Sequence, residues 1–135
     1  MLRYMLDTNL CIRVLRDRPA GLRERFSRET GSLCISTIML TESLVGAAKS
    51  NKPTENRREV DRFAPRLEVL AFDDDAAAHA ADIRAVLERR GHPIGGYDTL
   101  IAGHARSRGL IVVTGNLREF NRVEGLRTED WLGGR

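Results

Sequence analysis

Short, continuous apolar runs alternate with segments that have the composition of helices along this chain. Strands are predicted at residues 2–6, 32–35, 67–72 and 110–113, of which 110–113 is entirely apolar, and a short fifth strand is predicted at 126–128. Strands that read as unbroken apolar runs are typical of parallel sheets covered by helices on both faces. The alternation therefore predicts an α/β fold built on a parallel sheet.

Three carboxylates occupy positions where the pattern of a buried core predicts apolar side chains. Asp7 ends the first apolar run, and Asp98 opens the helix before the fourth run. Glu42 lies on an apolar stripe with Ile38 and Val45. Ionised Asp and Glu are rarely buried unless they are paired or bound to a metal, and no Lys or Arg shares these stripes. The missing counter-charge predicts a bound cation.

The spacing of these acids predicts a single site. In open parallel sheets, ligands bind beyond the carboxyl ends of the strands. Asp7 ends the first strand, and Thr114 and Asn116 follow the fourth. Glu42 and Asp98 lie near the starts of helices that adjoin the same edge. Oxygen ligands of this kind suit Mg²⁺ or Mn²⁺, which activates bound water and stabilises charge on a phosphate.

Each of these acids also has a purely structural alternative. We expect Thr8 or Asn9 to cap the helix after the first strand, but Asp7 also has the side chain of a helix N-cap, and Asp98 suits the first turn of a helix. Glu42 can pair with an arginine from elsewhere or extend towards solvent. Glu119, in a polar segment, has the alternative of simple solvation. A purely structural account of Asp7, Glu42 and Asp98 requires all three of their alternatives to hold together.

Charge and length limit the classes of function. The chain has 135 residues and a formal net charge of +3, with arginine far more frequent than lysine. A basic balance suits a polyanionic partner, although a solvated arginine-rich surface accounts for it equally well. We expect residues 1–135 to form one domain. Since no run is long enough to span a membrane and Asp7 interrupts the apolar N-terminus, we expect a cytoplasmic protein.

The ordered motifs resemble those of the PIN-domain ribonucleases, and specifically the VapC toxins of bacterial toxin–antitoxin pairs. The resemblance rests on residues 5–9, 36–42, 97–102, 113–120 and 126–131. It implies a three-layer α/β/α fold with a central parallel sheet. It also implies an endoribonuclease that depends on Mg²⁺ or Mn²⁺.

The resemblance also assigns roles to residues of this chain. It implies acidic metal ligands at Asp7, Glu42 and Asp98. It places a further catalytic position at Glu119 or Asn116 and leaves open which of the two faces the metal. Residues that orient the ligands by hydrogen bonding would be Thr8, Asn9, Thr114 and Asn116.

The partners implied by the resemblance are RNA and a small VapB-like antitoxin. The RNA would be a tRNA, with the anticodon loop of the initiator tRNA favoured, because unpaired loops are accessible to proteins. The antitoxin's C-terminal segment would wrap the toxin and insert a basic side chain near the acids. A homodimer and a toxin–antitoxin hetero-oligomer are expected, with DNA contacted only through the antitoxin. The helices on either side of Pro53 are the expected surface for both associations.

Three other functions compete with this hypothesis. A metal-free nuclease would use an acid–base pair drawn from His79, His92 and His104. A phosphoreceiver-like signalling domain would bind Mg²⁺ and phosphorylate an aspartate within residues 73–75. A PIN fold that binds RNA without cutting it is the third, although the complete acid set argues against it.

Overall fold

Five short parallel strands form the centre of the molecule. The computed structural model describes residues 1–132, apart from four side chains: Asn9, Cys11, Ile12 and Leu15. The strands are β1 (Tyr4–Leu6), β2 (Leu33–Ser36), β3 (Glu68–Leu70), β4 (Ile111–Val113) and β5 (Arg127–Glu129). They lie in the order β3-β2-β1-β4-β5, and every neighbouring pair is parallel. The predicted α/β/α architecture with a central parallel sheet is confirmed.

Helices connect the strands within the described part of the chain. They are α1 (Thr8–Arg16), α2 (Leu22–Arg28), α3 (Thr37–Lys49), α4 (Pro53–Phe63), α5 (Asp74–Arg89), α6 (Gly96–Arg108) and α7 (Leu117–Phe120). A 3-10 turn, Ala64–Arg66, follows α4 where Pro65 ends the regular helix. The sequence pattern did not predict α7, which has only four residues.

The central strand β1 determines where a ligand could bind. Tyr4 pairs with Leu33 of β2 on one side and with Ile111 of β4 on the other. The chain therefore builds the sheet outward from β1 in one direction, then crosses back to build it in the other. In such sheets a crevice opens at the carboxyl ends of the strands, at the point where the strand order reverses. Asp7 directly follows β1 at that point.

A single apolar cluster runs through the sheet and its covering helices. The three inner strands, β1, β2 and β4, are buried along their whole length, and Met5, Leu6, Val112 and Val113 each have 0% exposure. This burial explains why the strands read as unbroken apolar runs rather than as alternating patterns. None of the helices in residues 1–132 combines the length and apolar character that a membrane crossing requires.

The start of α1 differs from the sequence prediction. Thr8 or Asn9 was expected to cap this helix, but Asp7 is the N-cap, and its Oδ1 accepts a hydrogen bond of 2.7 Å from the backbone N–H of Thr8. The structural alternative for Asp7 is therefore correct as far as capping is concerned. Since a carboxylate has two oxygens, capping still leaves Oδ2 for another role.

The buried face of α3 also differs from the predicted stripe. Val45 is 40% exposed and Ala48 is exposed, whereas Met39 and Ala47 are 2% and 5% exposed. Met39 and Ala47 lie eight residues apart, a spacing that keeps them on one helix face. Glu42 thus lies beside the core face of α3 rather than within it, and is partly buried.

The helices α5 and α6 pack unusually closely at Gly103. A Cβ atom at this position would lie 2.5 Å from the backbone nitrogen of Ala80 and 2.6 Å from its Cα. Such distances are shorter than real Cβ contacts, and backbone atoms cannot rotate away. Glycine at position 103 therefore allows α6 to approach α5, and this approach fixes the position of α6.

Candidate metal centre

Asp7 lies at the crevice and both of its carboxylate oxygens are engaged. Oδ1 accepts the capping hydrogen bond from Thr8, and Oδ2 accepts a 2.8 Å hydrogen bond from the hydroxyl of Thr114. Thr114 is fully buried at the carboxyl end of β4, adjacent to β1 in the sheet. The side chain of Asp7 is thus held in one orientation by donors from two elements.

Thr8 connects Asp7 to Glu42. The Thr8 hydroxyl donates a short hydrogen bond to Oε1 of Glu42, across the gap between α1 and α3. The backbone N–H and the hydroxyl of Thr8 therefore bind one carboxylate each. This places the first two predicted metal ligands on either side of a single threonine.

Asn116 has the corresponding position on the other side of the crevice. Its amide Nδ2 donates to Oδ2 of Asp98 at 3.3 Å and to Oε2 of Glu119 at 3.1 Å. The backbone N–H of Asn116 donates to the Thr114 hydroxyl at 2.8 Å. A continuous chain of hydrogen bonds therefore runs from Glu42 to Glu119. In the order of contact, its members are Glu42, Thr8, Asp7, Thr114 and Asn116, and from Asn116 it branches to Asp98 and to Glu119.

The two acids bound by Asn116 differ in their electrostatics. Burial raises the pKa of Asp98 to about 6, with further contributions from the negative charges of Asp7, Glu119 and Glu42. The pKa of Glu119 is lowered, first by the hydrogen bond from Asn116 and then by the one from the backbone N–H of Gly95. The repulsion at Asp98 indicates that the four carboxylates are close enough to interact electrostatically, although they come from distant parts of the sequence.

The donor set has the chemistry of a hard-cation site. All candidate ligands are carboxylate oxygens, which suit Mg²⁺ and Mn²⁺ and not a softer metal. A cation would also relieve the repulsion that raises the pKa of Asp98. Among the described residues, however, no three Asp, Glu, His or Cys side chains are close enough together to form a ligand shell. The carboxylates instead accept hydrogen bonds from donors of the chain itself, which a bound cation would partly replace.

The predicted site residues are placed as follows. Asp7, Thr8, Glu42, Asp98, Thr114, Asn116 and Glu119 all belong to the hydrogen-bonded chain described above. The side chain of Asn9, predicted to orient a ligand, lies outside the described residues. The roles of all eight residues in catalysis and metal binding stay predictions.

Two of the competing functions lack the geometry they need. His104 is 1% exposed, and Nδ1 of His79 accepts a 2.9 Å hydrogen bond from Arg106, so neither is free to reach an RNA strand. A phosphoreceiver needs an aspartate at the end of a central strand. Asp73 instead follows the edge strand β3 and caps α5, where its Oδ1 accepts from Ala76.

The sequence prediction missed two contributors to the site. The backbone N–H of Gly95 donates to Oε1 of Glu119 at 3.1 Å, so the loop before α6 fixes this side chain. Ser36, at the end of β2, forms a buried hydrogen bond of 2.8 Å with His104 of α6. The adjacent glycines at 95 and 96 indicated a close backbone approach, whereas nothing in the sequence pattern pairs residues 36 and 104.

Comparisons with known proteins agree on one family. The family model of the PIN domain matches residues 4–126. The chain is 53% identical to the tRNA(fMet)-specific endonuclease VapC of Shigella flexneri, over 97% of this chain and 99% of the relative. It is 46% identical to ribonuclease VapC2 of Haemophilus influenzae, over 98% of this chain and 100% of the relative.

Solved structures agree with the sequence comparisons. DNA-bound VapBC from Salmonella typhimurium matches with a TM-score of 0.91 and 54% identity, over 97% of this chain and 99% of that chain. VapBC2 from Rickettsia felis, bound to a DNA fragment from its promoter, matches with a TM-score of 0.88 and 33% identity, over 96% and 99% of the two chains. The similarity therefore covers nearly the full length of each relative.

Proposed function

The chain belongs to the PIN-domain family, and on this premise we propose that it is a divalent-metal-dependent endoribonuclease, the toxin of a type II toxin–antitoxin pair. PIN-domain ribonucleases as a class depend on divalent metals. The observation that carries the proposal is the hydrogen-bonded chain of four carboxylates at the crevice beyond β1. A bound cation would offset the repulsion that contributes to raising the pKa of Asp98.

The metal ligands in this proposal are Asp7, Glu42 and Asp98, with Glu119 completing the acidic set. When bound, Mg²⁺ or Mn²⁺ supplies an activated water and stabilises charge on the scissile phosphate. The Thr8 and Thr114 hydroxyls orient the carboxylates of Glu42 and Asp7. Asn116 bridges Asp98 and Glu119 by donating to both, and we therefore assign it an orienting role rather than that of a ligand.

The proposed substrate is a tRNA, and by similarity to the Shigella flexneri relative it is the initiator tRNA. Basic side chains that would contact its phosphates lie beside the acids. Arg118 and Arg122 are close enough to Glu119 to contribute to lowering its pKa. Arg118 is exposed, so its guanidinium is accessible to a phosphate. This proposal places the protein in the cytoplasm, where tRNA is available.

The proposed regulatory partner is a VapB-like antitoxin, by similarity to the VapBC complexes. A groove of about 380 Å³ between α1, α3 and α4 adjoins the site. Its lining consists of Thr8, Arg16, Glu42, Ser43, Gly46, Ala47, Asn56, Glu59 and Val60. Because Thr8 and Glu42 belong to both the groove and the site, a peptide in the groove could place a basic side chain against the acids.

Assembly and domain organisation complete the proposal. Residues 1–135 would act as one domain, supported by an apolar cluster that extends from Tyr4 to Trp131. The α3–α4 pair, where Val45 is 40% exposed, is the proposed surface for the antitoxin and the homodimer. DNA would be contacted through the antitoxin in a hetero-oligomer.

The test is cleavage of total RNA by the purified protein, freed of antitoxin, with and without Mg²⁺. We expect cleavage only with metal, and mapping of the 5′ ends should find a cut in a tRNA anticodon loop. Metal-activated water leaves a 5′-phosphate, whereas a histidine mechanism through the 2′-OH leaves a cyclic phosphate. Cleavage that persists in EDTA, or RNA binding without any cleavage, would refute the proposal.

The variant that tests the site is Asp7→Asn. It retains a side chain that can cap α1, so the fold should persist while cleavage is abolished. Asp61→Asn is the matched control, because Asp61 lies on the exposed face of α4 in a surface ion pair with Arg57. Such pairs contribute little to stability, so the control should cleave as the wild type does. Full activity in Asp7→Asn would contradict the assignment.

A further inference from the structure

A buried polar pair joins the two helices that carry Glu42 and Asp98. Nδ1 of His104 lies 2.8 Å from Oγ of Ser36, and the exposed fractions of the two residues are 1% and 0%. Ser36 is the N-cap of α3, which carries Glu42, and His104 lies on α6, which carries Asp98. The Ser36–His104 pair thus connects the start of one acid-bearing helix to the middle of the other.

The number of donors and acceptors left without a partner decides which atom of the pair donates this hydrogen bond. Oγ of Ser36 already accepts a 3.0 Å hydrogen bond from the backbone N–H of Ile38. If Ser36 donates its hydroxyl proton to Nδ1 of His104, a single polar atom of the pair is left without a partner. If Nδ1 donates instead, the serine proton and Nε2 are both left without one. The first arrangement is therefore assigned, with the histidine proton on Nε2.

His104 carries a polar ring into the core at a position where an apolar side chain could pack. Nε2 is buried and has no hydrogen-bond partner, which costs free energy. The ring makes an edge contact with Phe72, with centroids 5.5 Å apart. An apolar side chain of similar size would fill the same space without an unpaired nitrogen. What such a side chain could not provide is the hydrogen bond to Ser36.

The same end of α3 is attached to the sheet by a second contact. The backbone N–H of Phe72, just beyond β3, donates to Oγ1 of Thr37 at 3.2 Å. The first residues of α3 are therefore held by β3 on one side and by α6 on the other. Ser36 is itself the last residue of β2 and pairs with Leu70 of β3, so the start of α3 is fixed to the sheet, and the Ser36–His104 pair is a buried polar contact that ties α6 to it.

We propose that His104 is a positioning residue, which holds α3 against α6 through Ser36 and so sets the separation of the Glu42 and Asp98 carboxylates for metal binding. This inference rests on the proposed function, because the separation matters only if both carboxylates bind the same cation. His104 itself contacts neither RNA nor metal. Its role is to fix, from the core, a distance that the repelling carboxylates would otherwise increase.

Two variants separate positioning from a contribution to stability. His104→Leu fills the cavity but cannot accept the serine proton, so we expect a melting temperature within about 3 °C of wild type. We expect its Kd for Mn²⁺ to rise about tenfold, the lower end of the effect of losing an outer-shell partner. His104→Asn can accept the proton at Oδ1 but leaves space around it. We expect a lower melting temperature for this variant, with a Kd for Mn²⁺ within about threefold of wild type.

Phe26→Leu provides the matched control for destabilisation. Phe26 is buried in α2 against Phe63, with ring centroids 5.3 Å apart, and belongs to none of the site contacts. We expect this variant to melt at a lower temperature and to bind Mn²⁺ as the wild type does. Mn²⁺ binding is measured by isothermal titration calorimetry without RNA, and RNA cleavage is measured separately to give kcat and KM.

The possible outcomes distinguish this inference from the proposed function. Positioning predicts that the order of Mn²⁺ affinity among the variants differs from the order of melting temperature, with a lower kcat and an unchanged KM in His104→Leu. If His104→Leu binds Mn²⁺ as tightly as wild type, or if affinity follows melting temperature across all variants, the inference is wrong. A wild-type protein that binds Mn²⁺ but cuts no RNA refutes the proposed function alone. A wild-type protein that does not bind Mn²⁺ refutes both.

Discussion

The two sides of the acidic crevice are held by different kinds of contact. On one side, Asp7 accepts from a backbone N–H and from a buried hydroxyl, at 2.7 Å and 2.8 Å. On the other side, Asp98 and Glu119 share one amide donor, Asn116, at 3.3 Å and 3.1 Å. Asp98 also has a pKa raised to about 6, by burial first and then by the surrounding acids.

This difference distinguishes a carboxylate that the fold orients by itself from one whose electrostatic repulsion a bound ligand would offset. The Asp7 carboxylate is oriented by the protein before any metal binds, because its donors come from α1 and β4. The Asp98 carboxylate is held more weakly and is repelled by its neighbours. A bound cation should therefore change the energetics of the Asp98 side most. Four predictions test this comparison.

The largest expected effect is loss of cleavage in Asp98→Asn. If Asp98 is a metal ligand, removal of its charge should lower kcat/KM by more than about a hundredfold, because outer-shell partners alone account for about 10–100-fold. The measurement is RNA cleavage at saturating Mg²⁺, with Asp75→Asn as the control on the exposed surface of α5. Cleavage near the wild-type rate would show that the Asp98 side is not part of the centre.

The next effect concerns the hydroxyl that orients Asp7. Thr114→Val is nearly isosteric but leaves Oδ2 of Asp7 without its donor. We expect Mn²⁺ affinity to fall about tenfold and stability to fall by about 1 kcal/mol. Calorimetric titration and denaturant unfolding give the two quantities. An unchanged affinity would mean that the fold does not orient Asp7 in advance.

A smaller effect is expected from pH. If Asp98 is a metal ligand, binding requires its ionised form, and the pKa of this group is about 6. Protons should therefore compete with the cation and lower the Mn²⁺ affinity about tenfold between pH 7 and pH 5. Titrations across this range in wild type and in Asp98→Asn provide the check. A profile in the wild type that is flat down to pH 5 would contradict the raised pKa.

The smallest effect is on the stability of the metal-free protein. The folded-state pKa of Asp98 is higher than the ordinary value of 3.8, so protonation stabilises the fold, and this stability is lost as the pH rises through about 6. Above pH 7, Asp98→Asn should then be more stable than wild type by about 1 kcal/mol, after a discount for partial exposure. Thermal melts in EDTA at pH 5 and pH 8 measure the difference. We expect no such gain for Asp7→Asn, because Asp7 is already satisfied by two donors.

The sheet could be predicted from the sequence because its inner strands, β1, β2 and β4, are buried on both faces. Unbroken apolar runs such as residues 110–113 are too short for a buried helix and too apolar for a strand with one face in water. The capping residue of α1 could not be assigned with the same success, since Asp7, Thr8 and Asn9 all have suitable side chains and only one has the extended backbone of a cap. The core face of α3 was misjudged for a related reason. Its sequence is apolar around most of the helix, so position alone did not separate Met39 from Val45.

The residues of the candidate site could be predicted from the sequence, but the hydrogen bonds between them could not. Carboxylates at the ends of strands are informative because charge is costly to bury. The bridging of Asp98 and Glu119 by Asn116 depends on the position of α7, a four-residue helix with too little periodicity to detect. The pairing of Ser36 with His104 joins residues 68 positions apart, and such a contact follows from tertiary packing alone.

The glycine at position 103 has a consequence at a distance from where it lies. It has no chemistry to offer, yet it governs how near α6 comes to α5, and Asp98 is carried on the first turn of α6. A methyl group added there would clash with the backbone of Ala80 and force α6 away from α5, and the Asp98 carboxylate would be displaced with the helix. The position of Asp98 in the acidic crevice thus depends on the lack of a side chain at Gly103, five residues further along the same helix.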